Sequence, residues 1–161
     1  MYISAIGQDS HRFEPEASTK SLMLGGIRIN NIPGLEGNSD ADVVLHALCN
    51  ALSGLSGKNI LGAVTDDMCN NRGITDSAEY VKAALATLGV IRLQHLSISI
   101  EARRPHLSNY IDAMKSSVAA LTGLAQHHVG ITATSGEGLT AFGRGEGIQV
   151  FIIASAFYPG D

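Results

Sequence analysis

The chain has 161 residues, 45% hydrophobic and 16% charged, with a formal net charge of −4. This predicts one domain with an ordinary buried core. It argues against nucleic acid as the main partner, because surfaces that hold a phosphate backbone are basic. Two cysteines are too few for a disulfide framework, and no apolar run reaches the roughly 20 residues that span a bilayer. The opening residues lack the basic and apolar regions of a signal peptide. The expectation is a soluble protein of the cytoplasm, or of a plastid once a transit peptide has been removed.

Tyr2 to Gln8 alternates and reads as a first strand that delivers Asp9 and His11 at its end. In extended backbone, residues i and i+2 face one side, so Asp9 and His11 can converge while Ser10 turns away. Leu22 to Leu24 and Ile27 to Ile29, joined by Gly25-Gly26, predict a hairpin, and Asn30 to Asn38 a loop. A helix is expected from Ser39 or Asp40, with Ser39 and Asp42 resembling a capping box. Its apolar stripe is Val44, Ala47, Leu48, Ala51, Leu52 and Leu55. Asp42 and His46 then share a face, about 6 Å apart along the axis.

Gly57 to Gly73 reads as irregular and polar. Asp76-Ser77-Ala78-Glu79 fits a capping box for a second helix, with Ala78, Val81, Leu85 and Leu88 inward. Leu93 to Ala102 reads as a strand. A third helix follows Pro105, with Leu107, Ile111, Met114, Val118 and Leu121 on its inner face. Val129 to Thr134 and Ile148 to Phe157 are strands flanking the glycine-dense stretch from Ser135 to Gly147. Alternating strands and helices in the second half predict βαβ units with helices covering a sheet.

Asp9, His11 and His46 offer one carboxylate and two imidazoles from two separate elements. Zinc accepts both donor types, and three protein ligands with one open position is the arrangement of catalytic sites. One Asp and two neutral His around Zn²⁺ leave a net charge near +1, which attracts phosphate and polarises its oxygens. The bland reading is a turn aspartate, a surface histidine and a hydrogen-bonded helix histidine. His95, His127 and His128 sit at predicted element boundaries and read as solvated. Thr134, Ser135 and Glu137 cluster at a strand end, where hydroxyls suit phosphate oxygens and a carboxylate suits Mg²⁺. On that segment alone, a polar turn is the better explanation. The stretch from Phe142 to Ile148 is not a dinucleotide fingerprint, since it precedes a strand rather than opening a helix.

Taken together, Asp9-Ser10-His11, the run from Ser39 to Leu48, Arg104-Pro105-His106-Leu107, and the blocks Ala133-Thr134-Ser135 and Gly143-Arg144-Gly145-Glu146-Gly147-Ile148 resemble one family. It is the 2-C-methyl-D-erythritol 2,4-cyclodiphosphate synthases of non-mevalonate isoprenoid biosynthesis. The resemblance covers essentially the whole chain. It implies a single α+β domain over residues 1–161, with helices on one face of a mixed sheet, assembling as a homotrimer with active sites at subunit interfaces. It implies a cytidine diphosphate-linked substrate that cyclises with release of CMP, a phosphorus–oxygen lyase reaction. Asp9, His11 and His46 match the zinc ligands. Glu137 matches a carboxylate that helps hold Mg²⁺ or Mn²⁺ on the substrate diphosphate. Ser135 matches a transition-state stabiliser, and Asn38 stands at a second catalytic position. Substrate contacts are implied at Asp9, His11, Ser39, Gly62, Asp66, Asp67, Ala133, Thr134, Ser135, Glu137, Phe142 and Arg144. Ala102 to Ser108, with Pro105, His106 and Leu107, match the loop that receives the cytosine. Arg144 and Glu146 match residues near a three-fold axis, beside a central cavity for an isoprenoid diphosphate.

The chain also departs from the family pattern. Asn38 stands where His is usual, His106 where Lys is usual, and Ala141-Phe142 where Phe-Thr is usual. The Asp that holds the erythritol hydroxyls aligns with Asn59 or Ile60, while Asp66 or Asp67 takes a later acidic position. A second reading is therefore a catalytically weak zinc-binding homologue that binds a nucleotide or isoprenoid diphosphate. A zinc phosphoester hydrolase is a third, disfavoured for want of a general base.

Overall fold

The computed structural model describes residues 1–160. Four strands, β1 (Tyr2–Arg12), β4 (Arg92–Glu101), β5 (Val129–Thr134) and β6 (Gly147–Phe157), form a sheet in the order β1-β6-β4-β5. The pair β4·β5 is parallel, while β6 runs antiparallel to both β1 and β4. Parallel neighbours need a crossover, supplied here by α4 (Ile111–Thr122). The expected βαβ arrangement is thus met by one unit, β4-α4-β5. A separate hairpin joins β2 (Ser21–Leu24) to β3 (Ile27–Pro33). Its turn residues Gly25 and Gly26 have φ of 60° and 78°, the positive pair that a two-residue turn of this hand requires.

Helices α1 (Val43–Ser56), α3 (Ser77–Ala86) and α4 lie on one face of the sheet. Alternate strand residues Leu96, Ile98, Ile100, Ile148, Val150 and Ile152 are buried beneath them. The opposite face leaves Ile6, Phe151 and Ile153 exposed. Helix α1 is apolar nearly all round because it is covered by β1, β6 and α3. Its backbone rests directly on β1: a Cβ at Gly7 would overlap the Ala47 carbonyl oxygen and the Ala51 nitrogen.

Several elements differ from the sequence expectation. Helix α1 starts at Val43 and not at Ser39 or Asp40, because Ala41 has a left-handed φ of 56°. Asp42 is itself the N-cap, so the Ser39–Asp42 capping box does not form. Its buried carboxylate accepts from Leu45 N–H at 3.0 Å, Gly25 N–H at 2.9 Å and Gly26 N–H at 2.7 Å, which ties the hairpin to the helix start. Burial pushes this carboxyl up, and the three backbone N–H groups oppose the push.

Strand β1 continues through His11, and β3 runs on to Pro33 inside the stretch read as loop. The segment read as irregular holds a short helix α2 (Ala63–Asp66) and a π-helical turn, Asp67–Asn71. In α3, Tyr80, Val81, Ala84 and the following Leu88 are buried, whereas Ala78 and Leu85 are only half-buried. The Asp76 cap is present, but Glu79 pairs with Lys82 at 2.6 Å. Helix α4 starts only at Ile111, with Leu107 buried in the loop before it. His95 lies inside β4, beside a register shift, and not at an element boundary.

Candidate functional site

Asp9 and His11 lie on the helix-facing side of β1, and His46 stands one turn into α1 above them. The backbone contact of α1 on β1 brings the three ligand atoms together. His11 Nε2 lies 2.9 Å from Asp9 Oδ2, His46 Nδ1 lies 3.1 Å from the same oxygen, and the two ring nitrogens are 3.1 Å apart. Asp9 and His11 are half-buried and His46 is 9% exposed. Burial raises the Asp9 carboxyl, but hydrogen bonds and charge from His11 and His46 outweigh it and hold the group well below the usual carboxylate range. The three side chains form a group able to hold a metal ion, with the donor set and open side of a catalytic rather than structural centre.

That open side faces a cavity of about 140 Å³, where Asn38, Ser39 and Asp66 sit with His11 and His46. Gly37, Leu61, Thr65, Cys69 and Tyr80 complete the wall, and none of them stood out in the sequence as a site residue. The pair of acidic candidates separates. Asp66 lines the cavity, while Asp67 is held by Asn71 at 2.8 Å and Arg72 at 3.4 Å. Gly62 is exposed, with a positive φ of 108°. Ile60 is 7% exposed and packed in the core, so it offers nothing to a polar ligand.

A second cavity, about 190 Å³, opens at the other edge of the sheet. Ala102, Pro105, His106, Leu107, Ser108, Ala133, Thr134 and Ser135 all line it, joined by Arg103 and Ile111. His106 Nδ1 lies 2.9 Å from Ser108 Oγ. Glu137 follows on a short 3-10 turn, exposed, with a left-handed φ of 49°. Phe142 lines a third hollow beside Ser10, His11 and Glu146. Arg144 is exposed and paired with Glu146 at 3.0 Å.

Register relates the first two cavities. Asp9 pairs with Val150, Val150 with Ile100, and Ile100 with Ala133. The metal-type cluster and the second cavity therefore stand level, on the same face, three strand spacings or about 14 Å apart. They occupy opposite edges of one sheet.

The domain is thus an α+β sheet with a two-histidine, one-carboxylate cluster able to hold a metal ion at one edge and a hydroxyl-lined cavity at the other. The chain belongs to the YgbB family, whose model matches residues 2–156. It is 48% identical over 154 residues to 2-C-methyl-D-erythritol 2,4-cyclodiphosphate synthase of Chlamydia muridarum, covering 95% of this chain and 86% of that protein. The synthase of Chlamydia felis is 46% identical over 154 residues, covering 95% and 88%. Among solved structures, the bifunctional IspDF of Campylobacter jejuni matches with a TM-score of 0.88 at 28% identity, over 98% of this chain and 42% of that longer one. IspF of Plasmodium falciparum in complex with CDP shares the fold, with a TM-score of 0.84 at 19% identity over 99% and 97%.

Proposed function

We propose that this chain converts 4-diphosphocytidyl-2-C-methyl-D-erythritol 2-phosphate to 2-C-methyl-D-erythritol 2,4-cyclodiphosphate with release of CMP. The observation that carries this is the convergence of Asp9, His11 and His46 within 3.1 Å of one another in a chain 48% identical to a named synthase. The reaction is of the phosphorus–oxygen lyase type. An oxygen of the 2-phosphate forms a bond to the β-phosphorus, the bond from that phosphorus to the α-bridging oxygen breaks, and CMP leaves with the electron pair. The attacking group belongs to the substrate, so no protein nucleophile is needed. Positioning and electrostatics dominate such transfers.

The residues fit zinc. Ligands on a tetrahedral Zn²⁺ with bonds of about 2.0–2.1 Å stand about 3.3 Å apart, and the observed spacings of 2.9–3.1 Å need only a slight opening. Asp9, His11 and His46 hold Zn²⁺, and Glu137 helps hold Mg²⁺ or Mn²⁺ on the diphosphate. When bound, the two ions neutralise and polarise phosphate oxygens. Thr134 and Ser135 donate hydroxyl hydrogen bonds to the diphosphate, with Ser135 serving the charge that develops in the transition state. Asn38 and Ser39 line the metal-side cavity, where the Asn38 amide hydrogen-bonds phosphate without supplying charge. Asp66 and the Gly62 turn bound the sugar side. Ala102, Ala133 and Pro105 to Ser108 hold the cytosine, with Phe142 and Arg144 nearby.

One chain holds its two half-sites about 14 Å apart on opposite sheet edges. This supports active sites shared between neighbours, the metal half from one subunit and the nucleotide half from the next. The exposed apolar face around Ile6, Phe151 and Ile153 supports a homotrimer closed on those sheets, with Arg144 and Glu146 beside a central cavity for an isoprenoid diphosphate. Two free thiols suit a reducing compartment, the cytoplasm or a plastid. No helix among the described residues is long and apolar enough to cross a membrane.

Asn38 and the buried Ile60 favour a second reading, a catalytically weak homologue that binds zinc and a nucleotide or isoprenoid diphosphate. The names of the relatives favour the first. Incubation with the diphosphocytidyl substrate, Zn²⁺ and Mg²⁺, read by ³¹P NMR, separates them. Cyclic diphosphate with CMP supports the synthase, while unchanged substrate with measurable binding overturns it in favour of the second reading.

A further inference from the structure

His46 shows its two ring nitrogens to different neighbours. Nδ1 faces Asp9 Oδ2 and His11 Nε2, at 3.1 Å each. Nε2 lies 2.9 Å from Ser77 Oγ, at the start of α3. Ser77 is fully buried, and its hydroxyl also bonds Asp40 Oδ1. Around Asp40 the other partners are donors: Ser77 N–H reaches Oδ2 at 3.1 Å, and Asp42 N–H reaches Oδ1 at 3.1 Å.

The direction of this chain of bonds follows from which groups can donate. An ionised carboxylate only accepts, so the Ser77 hydroxyl proton points at Asp40. A lone pair of Ser77 Oγ is then left facing His46, and only a protonated Nε2 completes that bond. A neutral imidazole with its proton on Nε2 has its free lone pair on Nδ1. Nδ1 stands 3.1 Å from Asp9 Oδ2, itself an acceptor, so this lone pair is free for the cluster only where a metal ion takes the place of that hydrogen bond. Ser39 Oγ, at 3.4 Å from the same Nε2, is a longer and weaker second acceptor.

We infer that Asp40 and Ser77 form a relay that fixes His46 in its Nε2–H tautomer and aims Nδ1 at the metal, making them positioning residues for a ligand on a different element. The relay rests on the metal reading of Asp9, His11 and His46. It also gives α3 a task beyond packing, since the buried hydroxyl at its first residue orients a side chain on α1. Hydrogen-bonded partners behind metal-bound histidines set ring orientation and basicity, and their loss costs roughly 10–100-fold in metal affinity.

The test titrates Zn²⁺ against a chromophoric chelator in the wild type, Ser77→Ala, Asp40→Asn and Ser77→Thr, alongside ¹⁵N-histidine spectra of the metal-free proteins. Expected are a roughly 10–100-fold weaker zinc complex in Ser77→Ala and Asp40→Asn, affinity within about threefold of wild type in Ser77→Thr, and a wild-type His46 protonated on Nε2. Ser77→Ala should lose that single tautomer. A folded Ser77→Ala that binds zinc as tightly as wild type overturns the relay, as does a wild-type His46 with no proton on Nε2. Should Ser77→Ala not fold, the wild-type tautomer decides. A wild type that binds no zinc defeats the metal reading instead, and the metal-free tautomer still decides the relay.

Discussion

The two edges of the main sheet are built by different means. At the β1 edge every ligand atom comes from a regular element, is at least half-buried, and is already within 3.1 Å of its partners. At the β5 edge Thr134, Ser135 and Glu137 are exposed, and most of the cavity wall is loop. The proposed metal half is preorganised in the isolated chain, whereas the proposed nucleotide half is open to whatever docks beside it. A rigid first half with a loop-built second half suits a site that one chain fixes and a neighbour completes.

The contrast can be broken at several points. The largest effect is expected from His46→Ala, which should lose bound zinc and about 10³-fold in cyclisation rate while staying folded. Elemental analysis and ³¹P NMR check it, and full zinc occupancy in that variant sinks the ligand assignment. Next, Asp42→Ala should lower unfolding free energy on the order of 3 kcal/mol, since it strands the N–H groups of Leu45, Gly25 and Gly26. Urea denaturation measures this loss of the anchor under His46.

Ser135→Ala, at the opposite edge, should slow turnover about 10–100-fold with zinc content unchanged. Refolding it together with His46→Ala tests the division of labour. If neighbours share sites, random mixing pairs an intact metal half with an intact nucleotide half in about one site in four. Recovery toward a quarter of wild-type activity is then expected, and no recovery at all would place both halves within one chain. The smallest effect concerns the thiols. Burial pushes Cys49 up to about 12, so it should resist alkylation at pH 8. Cys69, on the metal-side cavity, should label first and be slowed by Zn²⁺ with CDP. Equal labelling of both would contradict a closed α1 core.

Much of this was legible in the sequence, for reasons that differ by region. The i, i+2 rule placed Asp9 and His11 on one side of a strand, and β5 and the Gly25-Gly26 hairpin follow directly from alternation and turn chemistry. The segment from Ala102 to Ser108 and the stretch from Ala133 to Ser135 carried no local signal joining them. Only the parallel pairing of β4 with β5 brings them to one cavity. The start of α1 was misread because Asp42 serves tertiary partners as well as its own helix, and no local pattern records the bonds from Gly25 and Gly26. Ser77 did leave a trace. Residues 77, 81 and 84 share the inward stripe of α3, and a serine on an apolar stripe asks for a buried partner. That partner is His46.

Gly7 gives the metal cluster an unusual kind of tolerance. Because α1 sits on β1 backbone to backbone there, the gap between the strand bearing Asp9 and His11 and the helix bearing His46 is set by main-chain atoms. Core side chains such as Leu48, Leu52 or Val150 can be exchanged for others of similar volume without resetting that gap. Gly7 is denied this freedom, and so is Gly54 on α1, whose added Cβ would stand 2.9 Å from Ala5 Cβ; at either position one added methyl group would act as a wedge between helix and strand.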